Sequence, residues 1–125
     1  MGWLNLPERV QRSRRKGAKL RSDVIYAGRP SRWGNPLVGQ RAGRWYRTWI
    51  RGSFQLGEIV LIAKSEGQTL SIHGRYAALR KEKGTIYRER LVVLRRARFL
   101  ACWCPLGAEA ECHVDAIIEF LKTLR

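Results

Sequence analysis

Apolar positions along this chain fall into two patterns. Residues 23–27, reading Asp23-Val24-Ile25-Tyr26-Ala27, and residues 99–103, reading Phe99-Leu100-Ala101-Cys102-Trp103, are compact runs of β-branched, aromatic and aliphatic side chains. Gly28 and Pro30 close the first and Pro105 the second. Short continuous apolar runs between turn residues predict buried strands. Elsewhere the spacing is helical. In Ala42–Arg51, the side chains of Trp45, Tyr46, Trp49 and Ile50 fall on one side of a helix, with Arg44, Arg47 and Arg51 opposite, and Gly52 stops it. Residues 56–64 and 70–83 predict two further helices, broken around Gly67 and closed at Gly84. Thr85 caps another over residues 86–96, where Tyr87, Leu91 and Leu94 recur at i, i+4 and i+7. A last helix, residues 113–124, turns Ile117, Phe120, Leu121 and Leu124 to the core.

Residues 28–36, with two glycines and two prolines, must form a loop, because prolines remove backbone donors that a helix interior or central strand needs. Residues 1–22 read as a basic segment, a short extended piece followed by an arginine-rich loop around Gly17, and carry no helical periodicity. Strands separated by helices predict an α/β, Rossmann-like single domain: a small, mostly parallel sheet of three to four short strands flanked by helices. A chain of 125 residues suits one domain, since folding at this size hides roughly two thirds of the unfolded surface. No internal repeat is present.

Composition narrows the class of partner. The formal charge of +15 favours a polyanion such as DNA, RNA or a nucleotide. The excess is uneven: residues 1–51 hold thirteen Lys and Arg against Glu8 and Asp23, and the rest sets twelve against eight. No apolar run approaches the ~20 residues of a membrane span. The opening Met1-Gly2-Trp3-Leu4 turns basic at once, without the order of a secretory leader, so the expected location is the cytoplasm. Three cysteines within eleven positions do not resemble the paired framework of a small secreted protein, and reduced thiols are expected.

Ligands of open α/β sheets bind beyond the carboxyl ends of the strands. If the two apolar strands run parallel, the loop of Arg29, Ser31, Arg32 and Asn35 shares an edge with Cys104, Cys112 and His113. Arginines in a Gly/Pro loop suit bidentate recognition of phosphate; the plain alternative is solvated loop charge. Cys112-His113 at a helix start meets unpaired N–H groups and a dipole that favours anions, so Cys112 is a candidate nucleophile and His113 a candidate proton carrier. Equally, the two form a buried cysteine beside a helix-capping histidine. Asp115 complements the helix dipole or orients His113. Cys102, Cys104, Cys112 and His113 are four possible zinc ligands, although adjacent Cys112 and His113 rarely converge on one ion and C-x-C differs from the usual C-x-x-C turn. No motif calls for a cofactor. Arg12, Arg14, Arg15 and Lys16, with Arg44 and Arg47 on the first helix, are the candidate nucleic-acid contacts, or else a solvated basic face. Trp33 stacks on a base or anchors its loop, Trp103 is expected in the core, and His73 has no assigned role.

Three blocks resemble the phage and bacterial family called domain of unknown function 4326. They are Pro7-Glu8-Arg9-Val10-Gln11-Arg12 with Arg14, Lys16 and Gly17; residues 24–36, reading VIYAGRPSRWGNP; and residues 100–115, reading LACWCPLGAEAECHVD. The resemblance covers about half of the chain and implies an intracellular, phage-type α/β domain whose basic N-terminal stretch is part of the fold. It brings no established activity. Residues 18–21 stand where the family has a tryptophan and a proline, Leu37 replaces an aromatic, Val114 replaces a glycine after Cys112-His113, and the loop of residues 106–111 is longer than usual. The substitution at Val114 bears on how closely a ligand approaches the helix start.

Three functions fit these features. The first is binding or processing of a nucleotide or nucleic acid at a Cys/His/Arg-lined strand end. The second is a non-catalytic nucleic-acid-binding module, and the third a phage factor that binds an acidic host protein. Charge serves all three; the Cys/His cluster favours the first.

Overall fold

The computed structural model describes residues 6–11, 23–102 and 112–124. Three short strands, β1 (Glu8–Gln11), β2 (Val24–Tyr26) and β5 (Phe99–Cys102), form an all-parallel sheet in the order β1-β5-β2. The centre falls to β5 because Leu100, Ala101 and Cys102 are apolar in succession and all buried, as a parallel strand covered on both faces requires. Its neighbours are only partly buried and take the edges. The small parallel sheet flanked by helices is the architecture that the apolar pattern predicts.

A second, antiparallel ladder pairs β3 (Leu37–Val38) with β4 (Thr69–Leu70). Helix α1 (Ala42–Arg51) has the bounds expected, with Tyr46, Trp49 and Ile50 buried. Helix α2 (Leu56–Ile62) starts in a capping box between Gln55 and Glu58 and passes into a 3-10 turn, Lys64–Glu66, ended by Gly67 in the left-handed conformation.

Two expectations are corrected. Residues 70–83 form no single helix. Leu70 is drawn into the ladder opposite Leu37, Ile72 is fully exposed, and only α3 (Gly74–Ala77) is helical. His73 caps that turn, its Nδ1 accepting from the Arg75 N–H at 3.3 Å. Thr85 is no cap either: α4 (Gly84–Arg90) starts earlier, behind Lys83, and continues as a 3-10 segment, Leu91–Arg96. The start of α4 packs closely on α1, and a Cβ on Gly84 would clash with the carbonyl oxygen of Trp49. The buried positions Tyr87, Leu91 and Leu94 are nevertheless those the spacing selects.

Helix α5 (His113–Lys122) packs across α1 and against β1 and β5. Between α1, α4 and α5 lies an aromatic cluster. Tyr46 meets Trp49, Tyr87 and His113 edge-on at centroid separations of 6.0, 6.0 and 5.2 Å. The hydroxyls of Tyr46 and Tyr87 hydrogen-bond at 3.2 Å, so this buried polar pair satisfies itself. The first-helix aromatics thus build the wall on which His113 rests, and that wall fixes where α5 begins.

Candidate functional site

The loop after β2 is held by its own side chains. Ser31 Oγ donates to the carbonyl of Gly28 at 2.6 Å and accepts from the Trp33 N–H at 3.3 Å. The phenols of Tyr26 and Tyr76 donate to the carbonyls of Arg29 and Ser31, both at 2.6 Å. The Arg29–Pro30 peptide is cis. Asn35 Oδ1 accepts from the Leu37 N–H at 2.9 Å and turns the chain into β3. Few of these polar groups are left to move, and Arg29 projects from a braced frame.

His113 ties this loop to α5. Its Nε2 lies 2.7 Å from the carbonyl oxygen of Ala27 and 3.0 Å from that of Trp33. Carbonyls only accept, so Nε2 carries the hydrogen and Nδ1 is the bare nitrogen. Burial pushes the imidazole down to about 4, against the pull of the two carbonyls, and leaves it neutral at pH 7. The bare Nδ1 is 4.0 Å from Cys112 Sγ, which is itself 3.2 Å from Cys102 Sγ. On the far side Arg9 reaches Cys102 Sγ with Nη1 at 3.8 Å and Asp115 Oδ1 with Nε at 2.9 Å.

A cavity of about 280 Å³ opens between these elements, beyond the carboxyl ends of β2 and β5. Arg29, Asn35, Cys102, Cys112 and His113 line it, together with Gly28, Gly39, Gln40, Ala42 and Gly43. Five of the candidate residues therefore share one wall. No carboxylate is among the described lining residues. Gly39 has φ +150°, and a Cβ there would stand 2.5 Å from Gln68 Nε2, so the cavity floor requires glycine at that point. Val114 is fully buried in the core and does not line the cavity. Hollows of about 450 and 580 Å³ lie elsewhere, and their described linings hold neither cysteine nor histidine.

The remaining candidates lie apart. Ser31 staples its loop, and Arg32 lays its guanidinium on Trp33 at 4.6 Å, so neither lines the cavity. Asp115 is engaged by Arg9. Arg47 pairs with Glu119 at 3.4 Å, and Arg51 pairs with the same carboxylate, which neutralises part of the basic face of α1; Arg44 is exposed. Arg12, Arg14, Arg15, Lys16, Trp103 and Cys104 fall outside the described residues. Among the described residues, no group of three His, Cys, Asp or Glu side chains is placed to hold a metal ion, and no helix is long and apolar enough to cross a membrane.

Sequence reasoning overlooked Arg9, because a lone arginine on a short strand has no distinguishing pattern. Only the register of β1 beside β5, which sets Gln11 against Cys102, brings it to the cysteine pair. Tyr76 lies in α3, and its helical position gives no sign that its hydroxyl braces the loop after β2.

Residues 10–123 match the family model described as Domain of unknown function (DUF4326). No curated protein and no solved structure matches the chain.

Proposed function

We propose that this chain, which belongs to the DUF4326 family, binds a nucleotide or the phosphate of a nucleic acid in the strand-end cavity. One observation carries the reading: Arg29, Asn35 and the start of a ten-residue helix converge on a hollow whose described lining holds no carboxylate. In a chain of net charge +15, that combination favours an anion. The guanidinium of Arg29 suits a phosphate fork, Asn35 lines the same space, and α5 adds N–H groups and the positive end of its dipole. His113 serves as a neutral brace whose Nε2 hydrogen is committed to two carbonyls. Cys112 supplies the cavity's sulfur wall beside it.

Titration with inorganic phosphate, nucleoside monophosphates and triphosphates, and a short single-stranded oligonucleotide at low salt tests the reading. Binding weakened by Arg29→Ala and by Asn35→Ala, with the fold retained, supports it. Failure of every one of these probes to bind rejects it.

A second reading, a nucleic-acid surface without chemistry, is favoured by a separate feature. Arg95, Arg96 and Arg98, with Glu8, line the hollow of about 580 Å³ at the amino ends of β1 and β5. None of the three arginines forms an ion pair among the described residues. Arginines without partner carboxylates retain their charge for a phosphate backbone. Oligonucleotide binding that survives Arg29→Ala but falls with Arg95→Ala and Arg98→Ala selects this second surface.

A further inference from the structure

Cys102 closes the central strand and Cys112 precedes α5, so a sheet and a helix that meet only through folding bring two sulfurs to 3.2 Å. Both cysteines are buried against neighbouring side chains, yet both contribute to the wall of an open cavity, which gives small reagents a path to them. Arg9 places a guanidinium 3.8 Å from Cys102 Sγ, and its side chain is only 9% exposed, so its charge acts through protein more than through water. Cys112 stands at the positive end of the α5 dipole. Thiolates, not thiols, attack electrophiles, and both sulfurs sit where negative charge is favoured.

We propose that Cys102 and Cys112 form a dithiol–disulfide couple that a peroxide oxidises. The couple lines the same cavity as the proposed anion site but does not rest on an anion binding there. The Cys102 thiolate attacks one peroxide oxygen: the S–O bond forms, the O–O bond breaks, and the leaving hydroxide takes a proton to become water. Cys102 is then a sulfenic acid. The Cys112 thiolate attacks that sulfur, the S–S bond forms, the S–O bond breaks, and the second hydroxide leaves as water. Two thiols thereby lose two electrons and two protons, and one hydrogen peroxide becomes two waters. A dithiol reductant reverses the change by thiol–disulfide exchange. The short approach of the sulfurs favours this closure over further oxidation of Cys102.

The experiment uses the full folded chain, hydrogen peroxide, and alkylation of the remaining thiols. Trypsin leaves Cys102, Cys104 and Cys112 in one peptide, since no Lys or Arg lies between Phe99 and Lys122, whereas cleavage at Glu109 and Glu111 separates Cys112 from the other two. The expected result is a loss of two hydrogens from the intact mass, a cross-linked peptide pair after that cleavage, and reversal by dithiothreitol. The cross-link persists in Cys104→Ser and is lost in Cys102→Ser and Cys112→Ser. If Cys104→Ser does not fold, tandem mass spectrometry of the wild-type peptide pair assigns the bridged sulfur directly. A bridge that runs through Cys104 overturns the proposal, as does a folded protein whose thiols resist peroxide. Stoichiometric zinc in the purified protein, with oxidation only after a chelator, overturns it in favour of a metal site.

Discussion

His113 donates from Nε2 to the carbonyl oxygen of Ala27 at 2.7 Å, a bond between the first residue of α5 and the residue that follows β2. A second carbonyl, that of Trp33, shares the same nitrogen at 3.0 Å. Through this one imidazole the helix start, the end of an edge strand and the Gly/Pro loop are held in a common frame. The cavity between them keeps its shape because the ring cannot turn without leaving the buried Ala27 carbonyl and the partly buried Trp33 carbonyl without this donor.

Acid should loosen that frame first. The folded imidazole is held at about 4 and an unfolded histidine titrates near 6.5, so the unfolded state takes up a proton that the folded state refuses. The contribution of His113 is complete above about pH 6.5 and is lost as pH falls toward 4, on the order of 3 kcal/mol in all. Urea unfolding at pH 7, 5.5 and 4.5 measures it. A variant with His113→Gln, which retains a donor but does not titrate, should show a flatter profile; an identical slope in both proteins counts against this assignment.

Arg29 and Arg32 sit three positions apart in one loop but face different surroundings. Arg29 lines the cavity and Arg32 lies on the Trp33 ring. Replacing Arg29 by alanine should weaken nucleoside monophosphate binding about tenfold or more, the equivalent of about 1.4 kcal/mol. Arg32→Ala should change it by less than about twofold, in keeping with the small worth of exposed charges. Calorimetric titration of both variants decides, and equal losses would place the anion outside the cavity.

The hydroxyl pair of Tyr46 and Tyr87 offers a test of the core that braces His113. Tyr46→Phe leaves the buried Tyr87 hydroxyl without its partner and should cost about 1 to 3 kcal/mol. Removing both hydroxyls, as Tyr46→Phe with Tyr87→Phe, should cost less than the two single changes added together. Denaturant unfolding of the four proteins closes the cycle, and strict additivity would show that the hydroxyls do not depend on each other.

Gly84 is the position where helix propensity and packing conflict. Alanine is the better helix former by about 1 kcal/mol. Here its Cβ meets the backbone oxygen of Trp49, which cannot swing aside as a side chain does. Gly84→Ala should therefore destabilise by about 1 to 3 kcal/mol or more, readable as a lowered thermal midpoint. A stabilised variant would mean that α1 and α4 can separate at no cost.

The two basic regions separate by salt. If a nucleic-acid backbone lies along Arg95, Arg96 and Arg98, replacing all three by alanine should reduce the slope of log affinity against log salt by about 2 to 3. Arg29→Ala should reduce it by no more than about 1. Fluorescence anisotropy with a labelled oligonucleotide over a salt series reads both slopes.

Much of the architecture follows from local pattern. The continuous apolar run Phe99, Leu100, Ala101 and Cys102 marks a buried strand, and the spacing of Tyr46, Trp49 and Ile50 marks one face of α1, because an apolar run and a helix's stripe are one-dimensional properties of sequence. The family is legible in the same way, in blocks around residues 24–36 and 100–115. Residues 70–83 were not legible. Their apolar positions fit a helix, but Leu70 gains more from the ladder with Leu37, a partner 33 positions away. That competition is settled by long-range contact, to which local periodicity is blind.

The candidate site divides along the same line. Sequence alone determined which chemistry was available, a basic Gly/Pro loop and a Cys-His helix start, and that parallel strands would bring them to one edge. Only the tertiary structure decided the roles. It placed Arg29 and Asn35 in the cavity and Arg32 outside it, gave His113 Nε2 to two carbonyls, engaged Asp115 with Arg9, and set Cys102 against Cys112. Each of these depends on distances between side chains from segments far apart in the chain, fixed by the register of β1 and β2 against β5 and by the aromatic wall on which α5 comes to rest.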